Sequence, residues 1–229
     1  MPKLAGRAPK TDQVDAAVLA QMGAALAVQP DDPLREDQHE LKELQIARTA
    51  LVKDRTRLLN RIKTQTLAVT KRRSSALLRQ IEQSLKEVEA EIKTRLRATD
   101  QGALAHDILR STPGIGEPTA AAILIECPEI GTLGRKQIVS LAGLAPMTRQ
   151  SGQWRGQAFI QGGRKFLRDA LYMPALVAVR FNPDMTAKYE DMCARGKPKK
   201  VALIAIMRKL LELANALVKD GRKWSPKLA

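Results

Sequence analysis

The sequence predicts a mainly α-helical protein, and three of its features support this prediction. First, residues 34–96 contain no glycine or proline, and their apolar side chains recur at three- and four-residue spacing. Second, the strongly apolar segment 201–219 has the composition of a core helix. Third, the long glycine-rich and polar sequence is limited to residues 143–163, which we expect to form an irregular loop or a short hairpin between helices.

Composition and charge point to a folded protein with a polyanionic partner. The hydrophobic fraction of 44% is ordinary for a chain that buries a core. A net charge of +15, from 39 basic and 24 acidic side chains, favours nucleic acid as the partner. Solubility is the alternative explanation, but it needs a smaller net charge. Aromatic residues make up only 3% of the chain, which argues against a protein that stacks single-stranded bases.

The cysteines and the apolar segments indicate the compartment. Cys127 and Cys193 lie far apart without a CxxC partner, so neither a zinc site nor a disulfide framework is indicated. No apolar run approaches the length of a membrane span, and the N-terminus lacks the apolar stretch of a signal peptide. We therefore expect a cytoplasmic protein without a membrane partner.

The N-terminal segment is expected to form a helix that opens at Asp12 and stops near Gly23. Asp12 has the position of an N-cap, and Asp15 lies at the third helical position. Two carboxylates three residues apart share one helix face, where they could bind Mg²⁺. Helix capping and a favourable dipole contact explain the same pair equally well.

Residues 34–99 are predicted to form an antiparallel helical hairpin, which we interpret as a coiled-coil arm. The polar run 70–75 is expected to divide its two long helices. Arg48, Arg55 and Gln65 occupy slots between the apolar positions, which suits a dimerisation arm or a bundle that also touches nucleic acid. A solvated charged face is the more common explanation of such arginines. The apolar a and d positions of the first helix and its continuation are Leu41, Leu44, Leu51, Leu58, Ile62 and Val69.

A short helix over residues 100–109, the turn Pro113-Gly114-Ile115-Gly116 and a second helix beginning near Glu117 resemble a helix-hairpin-helix motif. Glycine lets the backbone approach a ligand closely, and amides at a helix N-terminus attract a DNA phosphate. An ordinary tight turn between packed helices is the alternative. Further helices are predicted over residues 135–142, 164–180 despite Pro174, and 184–195.

Ser151 lies in a basic segment and is a candidate nucleophile for phosphoryl transfer. A serine hydroxyl needs a base or a strongly stabilised transition state, and arginine provides the second by binding phosphoryl oxygens. The only histidines, His39 and His106, sit in or next to helical segments, which disfavours a Ser-His-Asp hydrolase. A role as a turn residue is the alternative for Ser151. The basic residues around it, which we expect to contact DNA, are Arg149, Arg155, Arg164, Lys165 and Arg168.

The chain contains, in this order, KTDQVDA at residues 10–16, STPGIG at 111–116, GLAPMTRQSG at 143–152 and GGRKFLRDALY at 162–172. Together these segments resemble the insertion-sequence transposases that pair a RuvC-like DEDD domain with a C-terminal serine domain and are guided by a structured bridge RNA. The resemblance covers nearly the whole chain. It implies that Ser151 attacks a DNA phosphodiester to form a phosphoserine link, and that Asp12 and Asp15 are the last two acidic residues of a Mg²⁺ site.

In that family the first two acidic residues lie on strands upstream of the KTD motif, whereas only eleven residues precede Asp12 here. We therefore expect an N-terminally truncated chain that does not complete the RuvC-like sheet and its metal site by itself. Its expected parts are a remnant of the RuvC-like α/β domain (residues 1–33), the coiled-coil arm (34–99) and a compact α-helical serine transposase domain with the helix-hairpin-helix (100–229).

These observations lead to one leading hypothesis and two alternatives. The first is a DNA transposase that cleaves and rejoins strands through Ser151, with Mg²⁺, a guide RNA and a homo-oligomeric assembly, either dimer or tetramer, all implied by the resemblance. The second is a catalytically inactive remnant that acts only as a DNA- or RNA-binding module. The third, suggested by the hairpin alone, is a structure-specific DNA repair factor.

Overall fold

The computed structural model describes residues 12–25, 36–148, 150–151, 154–156 and 158–226. The chain divides into two compact units, Met1–Arg35 and Glu36–Ala229. In the first unit the described residues form one helix, α1 (Asp12–Ala25), which ends two residues past the predicted Gly23. The three-domain division that the sequence suggests stays a prediction.

The second unit begins with two long antiparallel helices, α2 (Glu36–Thr64) and α3 (Ala68–Leu96). The predicted break at residues 70–75 is wrong, because the chain turns at residues 65–67 and the polar run forms the beginning of α3. Lys71, Arg72 and Arg73 are exposed there, so their polarity reflects solvation of a helix surface and not an interruption. Gln65 Nε2 donates to the buried Ser74 Oγ at 2.9 Å, across the turn.

Ion pairs join the two arm helices where the apolar seam is interrupted. Arg48 lies 2.8 Å from Glu89, and Arg55 lies 3.0 Å from Glu82. The arginines that dilute the apolar pattern are therefore paired across the hairpin. Val69 does not belong to the seam, since its side chain is 54% exposed in the first turn of α3, beyond the end of α2. The antiparallel helical hairpin is confirmed, and its identity as a coiled coil stays a prediction.

Seven shorter helices follow among the described residues of the second unit, and the structure confirms a mainly α-helical fold. The predicted helix over residues 164–180 is in fact two helices that meet at Leu171. Pro174 explains the break, because its ring clashes with the carbonyl of Ala170, four residues earlier, and it has no amide N–H to donate to that carbonyl. Ala170 is the residue at which the first of the two helices ends. The seven are α4 (Asp100–Arg110), α5 (Glu117–Glu126), α6 (Arg135–Leu141), α7 (Lys165–Ala170), α8 (Tyr172–Phe181), α9 (Pro183–Ala194) and α10 (Lys199–Lys219).

The core is built around α10, which packs against α4, α6, α8 and α9. Its buried side chains include Ile206, Leu210 and Leu211, each fully buried. A second, smaller cluster joins the arm to α5: Ile92 and Leu96 of α3 pack with Ala121 and Ile125 of α5. No helix among the described residues is both long enough and apolar enough to span a membrane.

Two short antiparallel strand pairs lie between α6 and α7, which confirms the predicted short hairpin. The outer pair joins β1 (Pro146–Met147) to β4 (Phe159–Ile160). The inner pair joins β2 (Gln150–Ser151) to β3 (Trp154–Arg155), with Ser151 opposite Trp154 in the backbone register.

Candidate functional site

The loop between α4 and α5 carries the predicted helix-hairpin-helix turn. The amide of Ile115 donates to the carbonyl of Thr112 at 3.0 Å, which closes the turn. Gly114 has a φ of +101°, and a Cβ at this position would lie 2.7 Å from the Pro174 carbonyl oxygen. The glycine at position 114 is therefore required by packing against α8 as well as by the backbone conformation.

Gly116 lies on the open side of the same loop, at the N-cap of α5. A Cβ there would meet only the Pro118 ring, at 3.9 Å. Within the described part of the chain, the amides of Gly116 and Glu117 donate to no acceptor. They lie at the start of α5, where the helix dipole favours an anion. A cleft of about 520 Å³ lies at this loop, with Met173 and Val177 of α8 on its other wall.

One carboxylate, that of Glu117, lies at the start of α5 and is surrounded by basic groups. Arg110 Nη1 is 2.6 Å from Glu117 Oε2, and the Lys93 ammonium is 3.9 Å from Oε1. His106, 1% exposed, places Nε2 3.1 Å from Oε1. Arg110 and Lys93 offset the negative charge that Glu117 brings to the loop. Sequence reasoning missed this group, although an acidic residue directly after Gly116 was a visible signal.

The C-terminal end of the described chain crosses the same loop. The amide of Trp224 donates to Ser111 Oγ at 2.8 Å, and Ser111 Oγ donates to the Ile108 carbonyl at 2.6 Å. The loop is thus supported from α8 on one side and from the segment after α10 on the other.

Ser151 lies in β2, and the base of its hairpin is a tight crossing of two glycines. Gly143 and Gly163 both have positive φ, and a Cβ on either would overlap backbone atoms of the opposite segment. Arg168 of α7 fastens the crossing, since its Nη1 donates to the Gly162 carbonyl at 2.6 Å and to the Ala142 carbonyl at 3.2 Å. The hairpin therefore leaves the helical core from a rigid base.

The basic residues of this region have different surroundings. Arg164 binds Glu129 with two hydrogen bonds of 2.7 and 2.6 Å and donates to the Glu126 carbonyl at 2.7 Å. The hydrogen bond from Arg164 lowers the pKa of the Glu129 carboxyl. Lys165 is exposed and forms an ion pair with Asp169. The guanidinium groups of Arg164 and Arg168 donate hydrogen bonds to acceptors within the protein, and these bonds hold the base of the hairpin together. The DNA contacts of both residues stay predictions.

The remaining basic candidates can be placed only in part. Arg155 lies in β3, next to Trp154 and opposite Gln150 in the register. Arg149 lies outside the described residues. The structure therefore brings Ser151, Arg155 and the Arg168-fastened base together on one hairpin, while Pro113, Gly114, Ile115 and Gly116 form the separate loop before α5.

Asp12 and Asp15 lie at the start of α1, three residues apart, which places their backbone positions on one helix face. Their side chains are outside the described part of the structure, so both the capping and the metal-binding interpretation stay predictions. Two carboxylate donors match the preference of Mg²⁺ but are too few to hold the ion alone. The described residues contain no group of three or more His, Cys, Asp and Glu that could do so.

Two family models match the chain. The model described as the transposase IS116/IS110/IS902 family matches residues 106–190, which include the loop before α5, the Ser151 hairpin and α7 to α9. A DEDD-type model of IS110, described as a transposase, matches residues 1–71, which include α1 and α2.

Individual relatives agree with these models. The chain is 30% identical over 240 residues to a pilin gene-inverting protein of Moraxella lacunata, an alignment that covers 99% of this chain and 71% of the relative. A pilin gene-inverting protein of Moraxella bovis gives the same identity and coverage. An uncharacterised 43.6 kDa protein of insertion element IS110 in Streptomyces coelicolor is 31% identical over 53% of this chain and 30% of its own length. The chain therefore belongs to the IS116/IS110/IS902 family of transposases.

Proposed function

We propose that this transposase-family chain binds duplex DNA through the loop before α5 and exchanges strands through the Ser151 hydroxyl. The observation that carries the proposal is the base of the Ser151 hairpin, where the crossing of Gly143 and Gly163 and the hydrogen bonds from Arg168 leave a rigid support. Phosphoryl transfer needs a nucleophile held to within a fraction of an ångström, and a fixed base serves that need.

In the proposed reaction the Ser151 oxygen attacks a phosphorus atom of the DNA backbone. A serine–phosphate ester bond forms, one bond from the phosphorus to a deoxyribose oxygen breaks, and the hydroxyl proton leaves to solvent while the released oxygen takes one up. Attack by a deoxyribose hydroxyl of another strand then reverses these bond changes and frees the serine. Arg155, in the strand paired with β2, is proposed to bind the phosphoryl oxygens.

The loop before α5 is proposed to hold the DNA backbone while this chemistry proceeds. Its support is the pair of amides at Gly116 and Glu117, which lie at the start of a ten-residue helix beside the cleft and donate to no acceptor among the described residues. Contacts of this type bind phosphate without reading bases. Target choice then has to come from elsewhere, and we propose that a guide RNA provides it, in keeping with the net charge of +15.

Asp12 and Asp15 are proposed to supply two carboxylate ligands of a Mg²⁺ site whose other ligands lie outside the described residues. When bound, the metal would neutralise charge on the reacting phosphate. We also propose that the active form is a homo-oligomer, either a dimer or a tetramer, because strand exchange joins more than one DNA end.

The test of the nucleophile is a covalent adduct. The full chain is incubated with suicide-nicked duplex DNA, and the protein–DNA species is resolved in denaturing gels and located by mass spectrometry of the tryptic peptides. We expect the phosphate on the peptide that contains Ser151, and no adduct from Ser151→Ala. Ser140→Ala, a change at an exposed serine of α6, is the matched control. An adduct that survives in Ser151→Ala would overturn the assignment.

DNA binding without cleavage is the second candidate function, and the loop before α5 favours it independently of Ser151. Gly116→Asp places a negative charge at the proposed phosphate contact, whereas Gly116→Asn has nearly the same shape and is neutral. Both residues are good N-caps, so both variants should fold. We expect Gly116→Asp to weaken salt-dependent DNA binding and Gly116→Asn to leave it unchanged. Binding that responds in this way, without any adduct from the wild type, would select the second function.

A further inference from the structure

The basic side chains of the arm are segregated along its length. The distal end, residues 60–81, which we name the arm tip, contains six basic residues and no acidic residue. The rest of the arm, residues 36–59 and 82–97, contains nine basic and nine acidic residues. The six tip residues are Arg61, Lys63, Lys71, Arg72, Arg73 and Arg79.

The two parts of the arm also differ in how their charges are engaged. Below the tip, cations and carboxylates pair, as Arg48 does with Glu89 at 2.8 Å and Arg95 does with Glu91 at 2.6 Å. All six basic residues of the tip are exposed. None of them forms an ion pair with another described residue. Six like charges gathered at one end of a helical hairpin repel one another, and a polyanion at that end would remove the repulsion.

The structure of the tip gives this charge a defined shape. Gln65 and the buried Ser74 hydrogen-bond across the turn, so the end of α2 and the start of α3, from which these cations project, are joined to each other. The tip has no aromatic side chain, and the first aromatic residue of the whole chain is Trp154. Without groups on which bases can stack, the tip suits the backbone of a duplex and not single-stranded bases.

The reach of the arm is also relevant. The arm contacts α5 through Leu44 and its neighbours, and α2 continues for twenty residues beyond that point to Thr64. At a rise of about 1.5 Å per residue the tip lies roughly 30 Å from the helical core. One turn of duplex DNA spans about 34 Å. The reach of the arm is thus close to one helical turn, so the tip could contact a duplex bound at the loop before α5 about one turn away from that loop.

From these observations we propose that the arm tip is a second, sequence-independent contact for the phosphate backbone of duplex DNA. The inference rests on the proposed function in taking DNA as the polyanion and the loop before α5 as its other contact. It assigns the two ends of the arm different tasks, since the near end packs on α5 and the far end binds DNA.

The test compares two triple variants of the full chain that remove the same amount of charge. Lys71→Gln, Arg72→Gln and Arg73→Gln change the tip, and Lys53→Gln, Arg57→Gln and Lys86→Gln change exposed positions nearer the core. Binding to a labelled 40-base-pair duplex, a length chosen to span about four turns, is followed by fluorescence anisotropy between about 50 and 200 mM salt. Circular dichroism verifies that each variant keeps its helices.

For the tip variant we expect affinity at about 100 mM salt to fall on the order of 10- to 100-fold, and the slope of log K against log salt to lose about 2 to 3. The control variant should change affinity less than about threefold. A pair of changes on the other tip helix, Arg61→Gln with Lys63→Gln, should act in the same direction as the tip variant.

Three outcomes separate this inference from the proposed function. Equal loss in the tip and control variants would show that only total charge matters and would overturn the inference. A tip variant that loses affinity for a structured RNA of equal length, but not for DNA, would overturn it in favour of the RNA. In both cases the Ser151-dependent adduct could still form, leaving the proposed function intact, whereas a wild-type chain that does not bind duplex DNA would remove both.

Discussion

Gly143 and Gly163 touch at the base of the Ser151 hairpin, and no side chain fits between them. Both adopt a positive φ, +66° and +61°, and a Cβ on Gly163 would overlap the backbone nitrogen of Gly143. The neighbouring Gly162 shares the conformation, with a φ of +67°, but has open space around it. This pair of adjacent glycines separates the effect of close packing from that of backbone strain.

We expect Gly162→Ala to cost about 1 kcal/mol, the strain of an L-residue with positive φ. Gly163→Ala adds the overlap with Gly143 and should cost on the order of 3 kcal/mol or more. Urea denaturation measures both free energies of unfolding. If the hairpin base also positions Ser151, only Gly163→Ala should reduce the rate of adduct formation under conditions in which both variants are folded. Equal free energies for the two variants would contradict the packing argument.

The ion pair between Arg48 and Glu89 predicts the register of the arm. Arg48→Glu places two carboxylates together and should destabilise the chain by about 1 kcal/mol. The exchange Arg48→Glu with Glu89→Arg restores an ion pair of reversed polarity and should recover most of that loss. Arg57→Glu is the control, since Arg57 is 75% exposed and, among the described residues, pairs only with Asp54 of its own helix and with no residue of α3. A double variant no more stable than Arg48→Glu would mean that these residues do not face each other.

The Arg164–Glu129 pair predicts a loss of stability in acid. The Arg164 guanidinium lowers the pKa of Glu129 below its usual 4.5, so folding is favoured by this pair above that pH. The contribution disappears as pH falls through the lowered pKa, when the folded carboxylate is protonated. Glu129→Gln should therefore be less stable than the wild type at neutral pH, and the difference should vanish once the pH has fallen below the lowered pKa of Glu129.

A neighbouring carboxyl provides the control of opposite sign. Burial raises the pKa of Glu126, so its ionised form opposes folding and Glu126→Gln should lose no stability at neutral pH. Thermal unfolding between neutral pH and about pH 3 distinguishes the two variants. The same pH profile in Glu129→Gln and Glu126→Gln would contradict the assignment of the two shifts.

The two cysteines should differ in reactivity. Cys127 is fully buried, and burial raises the pKa of its thiol to about 12, so it stays protonated and shielded from reagents. Cys193 is half-buried and should react first. With a disulfide reagent at neutral pH we expect one fast thiol per native chain, and two after denaturation. Cys193→Ser should abolish the fast phase, and a fast phase that persists in this variant would show that Cys127 is accessible.

Most of the helices could be predicted from sequence, because periodicity and turn residues decide them locally. The errors arose where a local signal had two meanings. The run 70–75 is polar because it coats an exposed helix start, and a polar run alone does not distinguish this from a turn. Pro174 was accepted within one helix, whereas the loss of its hydrogen bond and the ring clash separate α7 from α8.

The chemistry-bearing segments could be located from sequence, but their surroundings could not. Arg164 sits beside the proposed nucleophile in sequence, yet its guanidinium binds Glu129, thirty-five residues earlier in the chain. Gly114 looked like a close approach to phosphate, and its backbone in fact packs on Pro174. Contacts of this kind depend on which distant elements meet, information that residue spacing does not contain.

The hydrogen bond between Trp224 and Ser111 has a consequence for the order of events during synthesis. It joins residues 113 positions apart, so the loop before α5 leaves the ribosome well ahead of its last supporting segment. At about 5–20 residues per second the delay is roughly 6 to 23 s. We expect the nascent chain to pass this interval before the loop before α5 has its last support, so any DNA binding by this loop would begin only after translation of the C-terminal segment.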